Sequence, residues 1–284
     1  MAGTPKIAGN SKLTLPMPDS KNAVAANSTV QFDLPATFRY HALYLECTNL
    51  TLALMTEIRL MLNGQVIQRY TAEQREKMNL HDGIEAFATS NTLKIPLDRE
   101  KLLSRVMRET TAINCGVKGP DGVAITGFKL EVVIGAATNP GIKLSADVSA
   151  PVAGGPGDIM RIYSLPLSAQ GAGVKQISDL GTLGTSEGVL LSRAFVETSA
   201  LTSLEVKRDN ETLFERSVSL NQKIQKDAGV RAPQADFYAF DPSEEGYGQN
   251  MVQVAGSRDF RLNCTLDAGG SFNIILEQMG VLGQ

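Results

Sequence analysis

Apolar and polar residues alternate with period two in four separate stretches of the chain. Ile58, Leu60 and Leu62 form one, and Leu204 and Val206 form another. Phe128 to Ile134 is a third, and Phe260 to Leu266 is a fourth. Such alternation predicts strands with one face buried. The four are related in pairs. Thr56 to Asn79 matches Thr202 to Gln225 without a gap, an offset of 146 residues, so that Ile58 meets Leu204, Ile67 meets Leu213 and Thr71 meets Ser217. Phe128 to Ile134 matches Phe260 to Leu266 at an offset of 132, and KIPLD, ending at Asp98, matches the segment ending at Asp241 at an offset of 143. The three matches occur in the same order in both halves, which predicts two domains of one fold with different loops.

The repeated unit has a local physical logic. Asn63-Gly64 is a tight-hairpin signal, because both central positions of a type I′ turn need positive φ, and Asp209-Asn210 fills the same slot. A capped helix is predicted after the returning strand: Thr71 with Gln74, and Ser219 with Gln222, fit the reciprocal capping box. A further helix is predicted after Asp98, carrying Leu102, Leu103, Val106 and Met107. The segments from Gln170 to Gly188 and from Gly246 to Gly256 are Gly-rich and read as loops. Pro151 to Gly157 can continue neither a helix nor a central strand and reads as a linker. The expectation is an all-β chain of two tandem antiparallel sandwiches with short helices in the connections. Residues 1–152 hold an N-terminal arm and the first sandwich, and residues 153–284 hold the second.

Composition supports a packed protein and narrows its work. Hydrophobic residues are 43% of 284 and charged residues 20%, enough apolar material for cores. The net charge of −3 argues against sequence-specific or coating contact with nucleic acid. No apolar run suits a signal peptide or a membrane span, and three scattered cysteines suit reduced thiols, so synthesis in a cytoplasm is expected.

Catalytic chemistry is hard to find. The two histidines, His41 and His81, lack partners at metal-ligand spacing, which removes a metal-dependent double-sandwich enzyme. No nucleophile elbow or phosphate loop is present, and Cys264 stands in the slot of Val132, as a small buried hydrophobe would. Catalytic and cofactor-binding residues are therefore expected to be none. Asp241, Glu244 and Glu245 cluster in one loop. They offer the oxygen ligands of a structural calcium site and equally suit a solvated turn. Residues 1–21 carry Lys6, Lys12 and Lys21 against Asp19 alone, a frayed terminus or an arm that orders against a neighbour or an anionic lipid surface. A glycan-binding or glycan-degrading tandem sandwich is an alternative, disfavoured by the absence of Trp and by 6% aromatics.

The duplicated strand–turn–strand–capped-helix unit, with no catalytic constellation beside it, resembles the double jelly-roll major capsid proteins of tailless, membrane-containing bacteriophages of the corticovirus and autolykivirus kind. Ser257 to Gly280 carries the likeness most specifically. The resemblance implies two jelly rolls per chain and a pseudo-hexagonal homotrimer that tiles an icosahedral shell. It also implies penton and minor capsid proteins as partners, an internal membrane reached by the arm, and a place in the virion after synthesis in the host cytoplasm. The family can carry structural divalent cations, for which the Asp241 loop is the candidate here. A viral spike or tower protein built from β domains is the alternative within viruses.

Overall fold

The computed structural model describes residues 11–178, 190–254 and 256–282. The chain divides into two compact units. The first comprises residues 1–79, 85–100 and 106–160. The second comprises residues 161–284 together with Leu80–Ile84 and Lys101–Arg105.

In the first unit, β1 (Leu13–Pro16), β2 (Thr29–Leu34), β3 (Arg39–Thr48), β4 (Met55–Leu62) and β5 (Gln65–Tyr70) precede helix α1 (Ala72–His81) and the short α2 (Phe87–Ser90). Then come β6 (Thr92–Pro96), the single turn α3 (Arg105–Arg108), β7 (Ile113–Asn114), β8 (Phe128–Ile134) and β9 (Gly141–Ser149). One layer runs β1-β9-β3-β6, with β7 beside β3, and the other runs β5-β4-β8-β2. The chain changes layer at every connection between the eight main strands except the β4–β5 hairpin. That is jelly-roll topology, in which neighbours in a sheet come from distant parts of the sequence.

The second unit repeats this order. Its strands are β10 (Asp158–Ala169), which begins in the first unit, β11 (Gly173–Ile177), β12 (Leu190–Glu197), β13 (Leu201–Arg208) and β14 (Glu211–Ser217). Helix α4 (Val218–Ala228) follows, then β15 (Phe237–Phe240), β16 (Val252–Gln253), β17 (Phe260–Leu266) and β18 (Gly270–Val281). One layer runs β15-β12-β18-β10, with β16 on β12, and the other runs β11-β17-β13-β14. The double jelly roll is thus present strand for strand. β4 and β13 begin 146 residues apart, as do β5 and β14 and the two helices, while β8 and β17 begin 132 apart.

Period two does what the pattern predicts. Phe128, Leu130, Val132 and Ile134 are buried and the residues between them are not, and Phe260, Leu262, Cys264 and Leu266 repeat the pattern. Each fully buried Leu or Ile contributes roughly 1.5–3 kcal/mol. The hairpin turns hold as read: Asn63 and Gly64 have φ of +49° and +83°, Asp209 and Asn210 of +51° and +69°. The first turn residue has a second job that glycine could not do. Asn63 Oδ1 accepts from the backbone N–H of Thr126 and Gly127, and Asp209 Oδ1 accepts from those of Arg258 and Asp259. Each clamps the chain as it approaches β8 or β17.

The structure corrects four local expectations. The capping box at Thr71 and Gln74 forms in both directions, at 3.1 Å each. The second helix, however, is capped by Ser217, whose Oγ accepts from Leu220 N–H, and not by Ser219. Ser217 is the residue that the repeat aligns with Thr71. No helix starts at Asp98. Only Arg105–Arg108 are α-helical, Leu102 is buried, and Leu103 and Val106 are exposed. Asp98 is instead drawn to His41 and Lys12. Within the expected arm, residues 13–16 form β1, because its backbone completes the open edge of β9. Within the expected Gln170–Gly188 loop, Gly173–Ile177 form β11 against β17; residues 179–188 lie outside the described residues.

The Pro151–Gly157 stretch is pinned. Asn114 Nδ2 donates to the carbonyls of Val152 and Gly155, and its Oδ1 accepts from Val152 N–H. Gly155, at φ +93°, approaches Gly119 so closely that a Cβ would lie 2.4 Å from the Gly119 Cα. Among the described residues, no helix is long and apolar enough to cross a membrane.

Helix capping gives a direct check. Thr71→Ala and Ser217→Ala should each cost about 1 kcal/mol in urea unfolding, whereas Ser219→Ala should change stability by no more than a few tenths. A larger loss at position 219 than at 217 would contradict the cap assignment.

Candidate functional site

In both units an aspartate just past a strand of the β3/β12 layer anchors an ionic cluster. In the first unit this is Asp98, after β6. Its two carboxylate oxygens lie 3.0 Å from His41 Nδ1, and His41 Nε2 lies 2.8 Å from Ser149 Oγ. Lys12 Nζ reaches both Asp98 (2.8 Å) and Glu109 (3.3 Å), and Arg39 also binds Glu109. His41, Asp98 and Glu109 offer ligand atoms within 4.8 Å of one another. Both carboxylates, however, are already neutralised by Lys12 and Arg39. Ser149, His41 and Asp98 stand in the order of a nucleophile, a base and its orienting acid. Ser149 and His41 are buried, at 5% and 2% exposure, away from any substrate. The arrangement joins β3, β9 and the chain after β6.

In the second unit the equivalent aspartate is Asp241, after β15. Arg231 Nε donates to it at 2.6 Å, and a second Arg231 nitrogen donates to Asp82 at 3.0 Å. Arg193, on β12, forks between Asp82 (2.5 and 3.1 Å) and Glu277 on β18 (2.5 and 3.0 Å). Ser243 Oγ donates to Asp241 and accepts from Arg231. Burial alone would raise the Asp241 carboxyl, but Arg231, with His81 and Arg193 further off, holds it well below the usual carboxylate range. Asp82 is likewise pushed up by burial and brought below its ordinary value by Arg193 and Arg231. His81 is fully buried and stacks edge-on against Phe195. Its Nε2 is 3.9 Å from Asp241, within ionic attraction but beyond a hydrogen bond.

The structure does not bring Asp241, Glu244 and Glu245 together. Asp241 faces Arg231 in the core, Glu244 takes a bidentate hydrogen bond from Arg216, and Glu245 is exposed. Of the arm lysines, Lys12 binds Asp98 and Glu109, Lys21 pairs with Asp33, and Lys6 lies outside the described residues. The sequence reading missed Asp82, Arg193, Arg231 and Glu277. A signal was there: Arg193 interrupts the apolar run LLSRAFVE, and Glu277 interrupts IILEQMG. The three cysteines are free and buried, and burial pushes each thiol up to about 12.

The second unit also has an open flank. β14 is the outermost strand of its layer, with Glu211 and Glu215 exposed along it. Beside it lies a cavity of about 410 Å³, lined by Leu213, Phe214, Phe240, Pro242, Met251 and Val252 among others.

Two outcomes test the buried cluster. Arg231→Met would strand Asp241 without its closest cation and should cost about 3–5 kcal/mol of unfolding free energy; a loss below 1 kcal/mol would show the pair to be idle. Asp82 and Asp241 have folded-state values below the unfolded value of about 3.9. Their contribution is therefore complete above that value and is lost as pH falls through the folded values. Urea midpoints should hold through the near-neutral range for this contribution and drop below about pH 4, with a smaller acid loss in Asp241→Asn.

Comparison with known proteins agrees with this architecture. Two protein-family models match the chain: the viral coat protein P2 N-terminal domain over residues 15–149 and the viral coat protein P2 C-terminal domain over residues 159–282. Among solved structures, the major capsid protein P2 from bacteriophage PM2 superposes with a TM-score of 0.85 at 19% identity, covering 96% of this chain and 99% of that one. The STIV MCP gives 0.64 at 11% identity, covering 96% and 97%, and the PBCV-1 virus capsid gives 0.63 at 9%, covering 98% and 95%. None of the curated proteins compared with the chain matches it. Matched across both of its halves, the chain belongs to the viral coat protein P2 family, a structural component of the virion capsid with no enzymatic role.

Proposed function

We propose that the chain is the major building block of an icosahedral viral shell and assembles as a homotrimer of pseudo-hexagonal outline. The observation that carries this reading is the strand-for-strand duplication. Two units with one topology give a trimer six like sandwiches, so a three-fold object meets its neighbours much as a six-fold one would. Closed symmetry of this kind favours a trimer over an open filament. The chemistry of the buried clusters suits the role. Their charges are spent on each other, which rigidifies a block whose function is shape. Penton and minor capsid proteins would fill the positions that a flat hexagonal block cannot. The basic residues ahead of β1, Lys6 among them, suit contact with an anionic internal membrane. Synthesis would take place in the host cytoplasm, with thiols reduced.

Light scattering of the purified protein, with electron-microscope images of the same fraction, tests the assembly. The expected mass is three times the 30.4 kDa chain, in six-cornered particles. A stable monomer at high concentration would reject the reading.

A further inference from the structure

The repeat extends further than the three matches above, into the first strand of each unit. Thr14-Leu15-Pro16-Met17, at β1, matches Ser164-Leu165-Pro166-Leu167, in β10, at an offset of 150 residues. The topology agrees, because β1 flanks β9 as β10 flanks β18. β10 has a leading stretch whose use can be seen. Within the first unit, the Met160 carbonyl accepts from Gln68 Nε2 of β5 at 3.1 Å, and Ile159 is fully buried. The residues ahead of the Ser164 tetrapeptide therefore cover the outer flank of the hairpin's returning strand.

The same two features recur without each other. β14 is the counterpart of β5 at the offset of 146, so Phe214 stands where Gln68 stands. Its outer flank has no strand among the described residues, and a cavity lies beside it. The counterpart of Asp158–Met160 at the offset of 150 is Ala8–Asn10, ahead of β1. In the chain, a leading stretch covers the hairpin of the unit that precedes it. No unit precedes the first, so this stretch must find its hairpin on another molecule.

We propose that the outer edge of β14 and its cavity receive the residues just ahead of β1, Ala8–Asn10, from a second copy of the chain. Strand addition satisfies the open backbone groups of an edge, and a pocket for a side chain fixes its position. Charge favours the pairing: Glu211 and Glu215 line the edge, and Lys6 lies just upstream of the added segment. The contact is head to tail, second unit to first, and it closes into a ring when three copies supply six sandwiches. It rests on the trimer reading above and gives that reading a specific joint.

Hydrogen exchange read by mass spectrometry, on the full chain and on a variant lacking residues 1–10, tests it. Amides of residues 211–217 should exchange at least ten-fold more slowly in the full-length trimer than in the truncated protein, with no loss of secondary structure in the latter. A synthetic peptide of residues 1–12 added to the truncated protein should restore protection there. Met251→Arg, which fills the cavity from outside the main strands, should weaken trimer formation at least ten-fold while the monomer unfolds at an unchanged urea midpoint. A full-length trimer whose residues 211–217 exchange as fast as in the truncated protein overturns the joint and leaves the trimer standing. So does a peptide that gives no protection, or a Met251→Arg variant that trimerises normally. A full-length chain that stays monomeric overturns both.

Discussion

Two four-stranded layers hold together only through the side chains they turn towards each other, and the period of two decides which side chains those are. In β8 and in β17, every second residue is buried against the opposite layer and every intervening one is not. A shift of one residue in either strand would send the whole inner set to the wrong face. Register is therefore the quantity the fold must protect, and the two units protect it in the same way. Asn63 and Asp209 sit at the tips of their hairpins and grip the backbone just ahead of β8 and β17. One side chain thus sets the hairpin's turn and the alignment of the strand beside it.

The helices are positioned by the same economy of means. α1 and α4 both follow the hairpin, and each fastens itself by a buried amide to backbone carbonyl of the opposite layer. Asn79 donates to Lys94 O, and Gln225, its counterpart in the repeat, donates to Ala239 O. A buried amide left without its carbonyl would cost about as much as the lost bond and its desolvation together. These contacts therefore select one docking of each helix over its alternatives.

What could be read from the sequence was what depends on neighbours in the chain. The hairpin turns, the first capping box and the inner faces of β4, β8, β13 and β17 are local, and all were legible. The second cap was misplaced by two residues because Ser217 and Ser219 both satisfy the same local rule. Only the position of the helix separates them, and the alignment of Ser217 with Thr71 carried that information. The supposed helix at Asp98 failed for a different reason. Asp98 was read as a local cap, but its partners are His41 and Lys12, 57 and 86 residues away. β1 and β11 were missed because an edge strand needs less apolar patterning than a central one: their burial patterns are mostly exposed. The loop carboxylates misled in the same way. Asp241 and Glu244 are close in sequence, yet arginines on other elements decide which way each points.

The two ionic clusters show how duplicated positions drift apart chemically while keeping one mechanical role. Asp98 and Asp241 occupy equivalent places and each ties its strand end to the neighbouring strand. The first does so through a histidine and a serine, the second through two arginines and two further acids. Three carboxylates against two guanidinium groups leave the second cluster one charge short of balance, and the buried His81 beside Asp241 is the group placed to supply it. A buried ion pair contributes less to net stability than to the choice among competing arrangements. For a protein whose surface must match that of its neighbours, that choice is the greater need. The open edge of β14 belongs to the same argument. A sheet edge left bare invites pairing with any strand, so a chain that carries one must either block it or reserve it for a partner. The repeat itself supplies the partner, because the segment that covers the equivalent edge in the first unit has a counterpart at the chain's own beginning.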